Sequence, residues 1–232
     1  KASGMDLKNV EFVWASEAMG DKDYWKTVMG VARQSTLKRI LRTTQIMGRS
    51  DKDTLYASQI FYPCMQTADI FYLKADICQL GMDQRKVNVL ARELGPKLGF
   101  WKPIAVHHHM LMGLGEPPKG DATVERAIAM KMSKSNPNSA IFMTDSNEDV
   151  VRKLRKAYCP EKQANDNPIL EYCKYIVFEK VDTFVIERPE KFGGDVTFNS
   201  YSDLENSFVK GEVHPADLKT ATAKYINELL EP

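Results

Sequence analysis

The run Lys131-Met132-Ser133-Lys134-Ser135 places two lysines three positions apart among small hydroxyl side chains. Asn-Pro follows directly, and a segment of this composition does not favour a rigid helix. A mobile loop with two cations can stabilise negative charge that develops on a phosphate leaving group. A solvated surface loop is the alternative, but this pentapeptide is rare, so the pattern favours a triphosphate-binding loop.

A second group of polar residues, Tyr62, Gln66 and Asp69, shares one face of a predicted helix, because the members are four and three positions apart. Hydroxyl and amide oxygens accept from an ammonium group, and a carboxylate accepts from a hydroxyl or a ring N–H. The stripe is therefore a candidate pocket for a small zwitterion. Taken alone, it is more typical of a solvated helix face.

The run from Gly81 to Lys86 (GMDQRK) is a predicted turn between a strand and a helix. In an open α/β sheet, ligands bind beyond the carboxyl ends of the strands. Gly81 allows a ligand to approach the backbone, and the start of the helix favours an anion. Asp83 can bind a ribose hydroxyl, although an ordinary turn with Asp83 as the helix cap is an equal alternative.

Strands and helices alternate up to residue 144, which predicts an α/β unit. The predicted strands are Val10–Trp14, Ala75–Leu80 and Ile104–His107, and the predicted helices are Tyr24–Leu41, Thr54–Leu73 and Gln84–Leu94. Ser50–Asp53 supply cap residues for the helix that contains Pro63, which is expected to kink the helix without ending it. Residues 115–124 have the composition of a loop.

Helical patterns dominate the remainder of the chain, interrupted at Phe192–Asp195 and at His214-Pro215. Ser146 and Asp149 predict a cap that opens a basic helix ending near Tyr158. We therefore predict two domains: an α/β domain over residues 1–144 and a mostly α-helical domain over residues 145–232.

Composition limits the classes of function. The 232 residues carry a formal net charge of +1, so any contact with nucleic acid must rest on a local basic patch. The four cysteines have no CxxC spacing, which argues against a zinc ribbon or a disulfide framework and favours reduced thiols. No apolar run is long enough to span a bilayer, and a cytoplasmic location is expected.

The KMSKS pentapeptide is the signature of class I aminoacyl-tRNA synthetases, and the chain resembles the tyrosyl-tRNA synthetases of the eukaryotic and archaeal type. The segments that carry this resemblance are Tyr62–Glu93, Lys156–Pro160, Glu187–Asp195 and Val213–Lys219. They occur in order over nearly the whole chain. The resemblance implies the second half of a Rossmann-type catalytic domain followed by a mostly α-helical anticodon-binding domain.

The resemblance also implies roles in the activation of tyrosine by ATP. Tyrosine would be held by Tyr62, Gln66, Asp69 and Gln84, with Asp69 accepting from the phenolic hydroxyl. ATP, a substrate that arrives with Mg, would be contacted by Gly81, Asp83, Met110, Leu111, Met132, Ser133 and Ser135. Lys131 and Lys134 would be catalytic, stabilising the leaving pyrophosphate. No tightly bound cofactor and no protein metal site are implied.

For tRNA(Tyr), the resemblance places Arg85 toward the first base pair of the acceptor stem. Phe192 would stack on the first anticodon base, and Asp217 would read the edge of that base beside His214. Phosphate contacts would come from the basic helix, through Arg152, Lys153, Arg155 and Lys156.

The chain departs from the family pattern in several places. The HIGH signature is absent, so we expect an incomplete active site, with HIGH carried by a segment upstream or by a separate chain. His107–His109 is not a substitute and not a metal site, because adjacent strand residues point in different directions. Leu80 replaces a glycine found in many relatives, and residues 115–129 resemble an insertion. A homodimer is expected through Arg39–Ile60.

Two other functions are consistent with the sequence. A tryptophanyl-tRNA synthetase shares KMSKS, and its equivalent of Asp69 can bind an indole N–H, although Gln66 and the His214–Asp217 segment favour tyrosine. A non-catalytic tRNA-binding chain is favoured by the absence of HIGH and disfavoured by the retained site residues. Exchange of pyrophosphate into ATP with each amino acid separates these alternatives.

Overall fold

A computed structural model describes residues 5–43, 56–120, 126 and 130–231. The chain divides into two compact units: a first unit, residues 11–110, and a second unit, residues 111–232 with residues 1–10. The boundary predicted at residue 144 marks the change from alternating strands and helices to helical patterns in the sequence. It stays a prediction. The predicted cap cluster Ser50–Asp53 lies outside the described residues.

The first unit packs helices against a short βαβ motif. In chain order its elements are α1 (Ala15–Met19), α2 (Lys22–Arg33), α3 (Leu37–Thr43), α4 (Ala57–Tyr72), β1 (Ile77–Gly81), α5 (Arg85–Leu94) and β2 (Ile104–His108). The strands β1 and β2 are parallel, with Ile77 opposite Ile104 and Gly81 opposite His108. The helical connection α5 lets the two strands run in the same direction.

Apolar spacing and caps account for the helices of the first unit. In α2, the buried residues Tyr24, Val28 and Val31 recur at helical intervals, and the Asp21 carboxylate accepts from the N–H of Asp23 at the first turn. The helix α4 continues through Pro63 as predicted, since that residue is buried within the packed helix. The unit therefore has a core that fixes α4 beside α2.

Two sequence predictions for residues 10–41 are wrong. Val10–Trp14 is extended but belongs to no strand among the described residues, and Phe12 is 79% exposed. An apolar run becomes a buried strand only when a partner strand and a covering layer receive it. The predicted helix Tyr24–Leu41 is two helices, because the Thr36 hydroxyl accepts from the Arg39 N–H and begins α3.

The second unit is mainly helical, as predicted for residues 145–232. Its elements are α6 (Asn147–Lys156), α7 (Pro168–Tyr172, continued by a π-helical turn), β3 (Phe184–Ile186), β4 (Val196–Phe198), α8 (Tyr201–Lys210) and α9 (Pro215–Leu230). The antiparallel pair β3–β4 was not predicted, since three-residue strands carry too little alternation to detect. Ser146 caps α6 as expected, accepting from the Asp149 N–H.

The core of the second unit lies among α6, α7, α9 and the β3–β4 pair, and includes Leu154, Phe184 and Leu218. All four cysteines are free thiols. Within the described part of the chain, no helix combines the length and the apolar character needed to cross a bilayer.

Candidate functional site

The polar stripe of α4 is partly buried against α2. The Tyr24 hydroxyl donates to Asp69 Oδ1 at 2.8 Å and lies 3.4 Å from the Met65 carbonyl oxygen. Burial raises the pKa of Asp69, and the hydrogen bond from Tyr24 partly opposes that rise. The pKa of Tyr24 is raised by its own burial and by the neighbouring Asp69. Asp69 is therefore a desolvated carboxylate already positioned by one phenol.

Gln66 and Gln84 come together from different elements. Gln66 Nε2 donates to Gln84 Oε1 at 2.9 Å, which ties α4 to the turn between β1 and α5. Gln66 Oε1 is buried and has no hydrogen-bond partner among the described residues. A buried amide oxygen without a donor is costly, so this atom can accept from a bound ligand. Tyr62, one turn earlier on α4, is half exposed.

The turn after β1 brings together three of the residues predicted to contact ATP. A side chain at Gly81 would place its Cβ 2.2 Å from Met110 Sδ and 2.7 Å from Asp83 Oδ1. Any side chain at position 81 would therefore require the Met110 and Asp83 side chains to move. Asp83 lies in a 3₁₀ turn, Met82–Gln84, rather than at the cap of α5, and the cap position, Gln84, makes no side-chain cap bond. Asp83 therefore stands one residue before the cap position of α5.

Arg85 and Lys86 are exposed at the start of α5, where the helix end also favours an anion. His107, on β2, lies with its Nε2 atom 3.0 Å from Asn88 Nδ2. Among the described residues, no group of three or more histidine, cysteine, aspartate or glutamate side chains is arranged to hold a metal.

In the second unit, the KMSKS segment is not helical, and its shape is held by hydrogen bonds between residues close in sequence. The Ser133 and Ser135 hydroxyls are 2.7 Å apart, and the Ser133 N–H donates to Ser139 Oγ at 3.0 Å. Ser139 Oγ in turn donates to the Asn136 carbonyl oxygen at 2.7 Å. The loop therefore keeps a defined shape while Lys134 and Ser135 stay exposed.

Lys131 is half-buried, and its backbone forms an antiparallel bridge with Met112. A cavity of about 250 Å³ opens beside this bridge and is lined by Met112, Gly113, Lys131 and Ser133 among others. Leu111 and Met132 pack against the core of the unit. Two of the predicted ATP or catalytic residues, Lys131 and Ser133, thus line one small cavity.

Phe192 ends a 3₁₀ turn and is 62% exposed, so it is not a core residue. Gly193 follows it at φ 99°, a left-handed conformation that favours glycine. The Arg188 side chain holds the loop by donating from Nε to the Gly194 carbonyl oxygen at 2.7 Å, and the backbone N–H of Arg188 donates to Asp195 Oδ1. The exposed ring of Phe192 therefore lies on a loop whose conformation is fixed by hydrogen bonds from Arg188.

His214 is the N-cap of α9, and its Nδ1 accepts from the Ala216 N–H at 3.1 Å. This bond places the proton of a neutral ring on Nε2. That atom lies 3.6 Å from Glu161 Oε1. Asp217 is partly exposed in the first turn of α9, whose cap bond among the described residues is made by His214 and not by Asp217.

The basic helix α6 differs from its predicted role at one position. Lys153 is buried: its Nζ lies 2.6 Å from Asp145 Oδ2 and 3.0 Å from the Ala140 carbonyl oxygen. Lys153 therefore cannot contact phosphates as predicted. The signal was present in the sequence, since Lys153 shares a helix face with the buried Val150, Leu154 and Ala157. Arg155 and Lys156 are exposed and free of that constraint.

Sequence reasoning missed Tyr24 as a site residue. It was placed on a helix, but its partner Asp69 is 45 positions away, and helical periodicity says nothing about such a contact. The signal in the sequence was the spacing of Tyr24 from Val28 and Val31, which places this tyrosine on the apolar face of α2.

Comparison with known proteins matches residues 1–231 to the family described as class I tRNA synthetases (W and Y). The chain is 51% identical to cytoplasmic tyrosine–tRNA ligase 1 of Arabidopsis thaliana, covering 100% of this chain and 58% of that protein. It is 46% identical to the tyrosine–tRNA ligase of Thermococcus sibiricus, covering 100% of this chain and 66% of the relative. The chain thus spans about two thirds or less of the length of these relatives.

Among solved structures, the tyrosyl-tRNA synthetase of Pyrococcus horikoshii complexed with L-tyrosine matches with a TM-score of 0.90 at 45% identity, covering 99% of this chain and 66% of that one. The Leishmania major enzyme in complex with tyrosinol matches with a TM-score of 0.79 at 42% identity, covering 99% of this chain and 34% of that one. These findings confirm the resemblance predicted from sequence, and they do not favour the tryptophan alternative.

Proposed function

The chain belongs to the tyrosine and tryptophan family of class I tRNA synthetases, and from this premise we propose that it is part of a tyrosine–tRNA ligase. The tyrosine carboxylate attacks the α-phosphorus of ATP, pyrophosphate leaves, and tyrosyl-adenylate forms. A terminal ribose hydroxyl of tRNA(Tyr) then attacks the tyrosyl carbonyl, and AMP leaves. ATP enters with Mg as a substrate.

The observation that carries this proposal is the pairing, on one face of α4, of a partly buried carboxylate with a buried amide oxygen that has no partner among the described residues. Asp69 suits a phenolic hydroxyl, and Gln66 Oε1 suits an ammonium group three residues away on the same helix. A substrate without the hydroxyl would leave Asp69 less satisfied. Such sites reject the analogue by about 10⁴–10⁵-fold, a figure for which tyrosyl-tRNA synthetases are themselves the standard example.

The lysines act on the leaving group in this proposal. Lys134 is exposed, and Lys131 is held by the bridge to Met112, so one cation is mobile and the other is positioned. Charge that develops on pyrophosphate gives both lysines their largest effect in the transition state.

We propose further that a polypeptide carrying the HIGH signature completes the site. In the first unit, Phe12 and Trp14 are more than 70% exposed, and Ile104 on β2 is 55% exposed. Parallel sheets normally have both faces covered, so these side chains fit a covering layer. Addition of a HIGH-bearing polypeptide should shift Trp14 fluorescence to shorter wavelength, whereas Trp14→Phe should lose that shift. Unchanged fluorescence would contradict this assignment.

The activity test uses the complete enzyme, meaning this chain joined to or combined with the HIGH-bearing polypeptide. Exchange of labelled pyrophosphate into ATP should depend on tyrosine and not on tryptophan or phenylalanine. Exchange that follows tryptophan would support the alternative specificity. Binding of tRNA without exchange by any amino acid would support a non-catalytic chain.

Anticodon reading is assigned to the second unit. Phe192 offers an exposed ring for stacking, and Asp217 offers a partly exposed acceptor at the start of α9. An aspartate accepts from the N–H groups of guanine on its Watson–Crick edge, and unpaired loop bases expose that edge. His214 stands three positions before Asp217.

Phosphate contacts are assigned to a groove between α6 and α9 in the same unit. The groove forms a cavity of about 640 Å³ whose lining includes Arg155, Lys219 and His214. Cations on two facing helices suit a polyanionic strand and predict salt-dependent binding. Lys153 is excluded by its burial, and Arg152 is paired with Asp149. Arg155, Lys156 and Lys219 are the residues proposed for this role, and Arg152 stays a prediction.

This assignment is tested by tRNA binding at fixed salt, comparing guanine with cytosine at the first anticodon position. Wild type should prefer guanine, and Asp217→Ala should lose most of that preference. Arg155→Ala should weaken both tRNAs equally and reduce the dependence on salt. Equal binding of the two tRNAs by wild type would contradict the reading by Asp217.

A homodimer and a cytoplasmic location complete the proposal. Much of the predicted interface, including Ile46 and Met47, lies outside the described residues. Of the described part, Arg39 pairs with Glu93 and Leu41 is partly exposed. A monomeric mass of the complete enzyme by light scattering would contradict the dimer.

A further inference from the structure

A short segment of the second unit, Met112–Leu114, lies between the KMSKS loop and the helical part of the unit. On one side, Met112 forms the antiparallel bridge with Lys131, and the Gly113 N–H donates to the Met130 carbonyl oxygen at 2.6 Å. These bonds make the segment the backbone support of the first catalytic lysine.

The tight fit of this segment is visible at Gly113. A Cβ at that position would lie 3.2 Å from the Met130 carbonyl oxygen and 3.4 Å from the carbonyl oxygens of Lys131 and Ser139. The Leu114 N–H also donates to the Ser139 carbonyl oxygen at 3.0 Å. Any displacement of the segment must therefore displace both ends of the loop.

On its other side, the segment is held by two bonds to the helical part. The Tyr158 N–H donates to the Leu114 carbonyl oxygen at 2.7 Å. The Met112 N–H donates to Glu171 Oε2 at 2.9 Å, across 59 positions of sequence. A backbone N–H bonded to a carboxylate is a charge-assisted bond, stronger than one to a neutral acceptor.

Glu171 is well placed to be an anchor. Asn167 Oδ1 accepts from the N–H groups of Ile169 and Leu170 and so begins α7, which fixes the direction of the next side chain. Ile169 and Leu170 are buried in the core, whereas Glu171 is only partly buried. Loss of the carboxylate therefore removes an acceptor without removing core packing.

We propose that Glu171 is a positioning residue for the KMSKS loop: it holds Met112, and through Met112 the backbone of Lys131. The proposal rests on the proposed function, because Lys131 matters through its action on pyrophosphate. Without the carboxylate, the Met112 N–H, in a residue only 5% exposed, is left unpaired, and the bridge to Lys131 is weakened.

The first test concerns the loop itself and needs no activity. In Glu171→Ala, trypsin should cleave after Lys131 and Lys134 about tenfold faster than in wild type, as expected for loss of one hydrogen bond to a charged group. Glu171→Gln keeps an acceptor oxygen and should stay close to wild type. Glu179→Ala, which removes an exposed glutamate, is the matched control. Peptide mass spectrometry identifies the cleaved bonds.

The second test concerns catalysis in the complete enzyme. Glu171→Ala should lower kcat for pyrophosphate exchange by about tenfold or more and leave the KM for tyrosine unchanged, because the loop acts on the transition state. Glu171→Gln should restore most of kcat. In combination with Lys131→Ala, Glu171→Ala should add little further loss, since both changes act through one lysine.

Separate outcomes identify which idea fails. Equal cleavage of Glu171→Ala and Glu179→Ala, or full additivity with Lys131→Ala, would overturn the positioning role. Absence of tyrosine-dependent exchange in wild type would overturn the proposed function and leave the cleavage test decisive for the loop. If Glu171→Ala does not fold, amide exchange in wild type decides: a Met112 N–H that exchanges at the unfolded rate would overturn the proposal.

Discussion

The two units of the chain use burial in opposite ways. In the first unit, two of the partly buried polar groups are predicted site residues: Asp69, bonded to Tyr24, and Gln66, bonded to Gln84. In the second unit, the buried charge is Lys153, which serves the scaffold, while Lys134 is exposed.

The difference follows from the proposed tasks. Recognition of a small substrate needs groups that are fixed and desolvated before the substrate arrives. A cation that must follow a leaving group needs freedom and gains its effect only as charge develops. Substitutions in the first unit should therefore change stability and binding together, and substitutions of the loop should change only the rate.

The largest effect is expected outside any site, at Lys153. Lys153→Ala leaves the Asp145 carboxylate, whose side chain is 11% exposed, without its cation. Breaking one side of a buried pair typically costs about 3–5 kcal/mol in the free energy of unfolding. Urea denaturation measures this loss. Lys156→Ala, on the exposed face of the same helix, should change stability by less than about 0.5 kcal/mol. Equal changes in the free energy of unfolding for Lys153→Ala and Lys156→Ala would show that the Lys153–Asp145 ion pair does not stabilise the fold.

The next effect tests the separation of rate from stability in the loop. Lys134→Ala in the complete enzyme should slow adenylate formation by about 10²-fold, corresponding to about 3 kcal/mol of transition-state stabilisation. Tyrosine affinity and the urea midpoint should not change. Single-turnover kinetics and equilibrium binding give the two quantities, with Lys97→Ala as an exposed control. A parallel loss of tyrosine affinity with an unchanged catalytic step would refute the assignment.

A smaller effect is expected at Phe192, which extends the comparison to tRNA. Phe192→Ala should weaken binding of tRNA(Tyr) by about 1–3 kcal/mol, the contribution of stacking one base on an aromatic ring. Stability should hold, because the ring is 62% exposed. Filter binding at fixed salt measures the loss, and Val209→Ala, at another exposed apolar position, is the control. Unfolding of the variant would mean that Phe192 is structural after all.

The smallest effect is a pH dependence of the free energy of unfolding that arises from Asp69. Burial raises the pKa of this carboxyl group, and the hydrogen bond from Tyr24 partly opposes that rise. The folded pKa lies above the ordinary value of about 4, so wild type loses stability as the pH rises through the folded pKa and the buried side chain ionises. Asp69→Asn cannot ionise, and its oxygen can still accept from Tyr24. The stability of the variant relative to wild type should therefore increase from acid to neutral pH. Urea denaturation at several pH values that gave a constant difference would contradict the raised pKa.

Local pattern was enough to predict much of this molecule. The helix that became α4, the strands that became β1 and β2, and the Ser146 cap depend on neighbours within a few positions, and all three predictions were confirmed. The KMSKS run and the segment after Tyr62 predicted the family that the comparison with known proteins confirmed.

Contacts between distant positions could be decided only by the tertiary structure. Tyr24 meets Asp69 across 45 positions, and Glu171 meets Met112 across 59, so no periodicity could reveal them. Val10–Trp14 reads as a buried strand, but burial depends on what packs against it, and the described residues supply no partner strand. Lys153 belongs to a basic helix by sequence, yet its place on the buried face makes it part of the scaffold. Residue type and spacing determine what a side chain can do, and packing determines which of those roles it is free to perform.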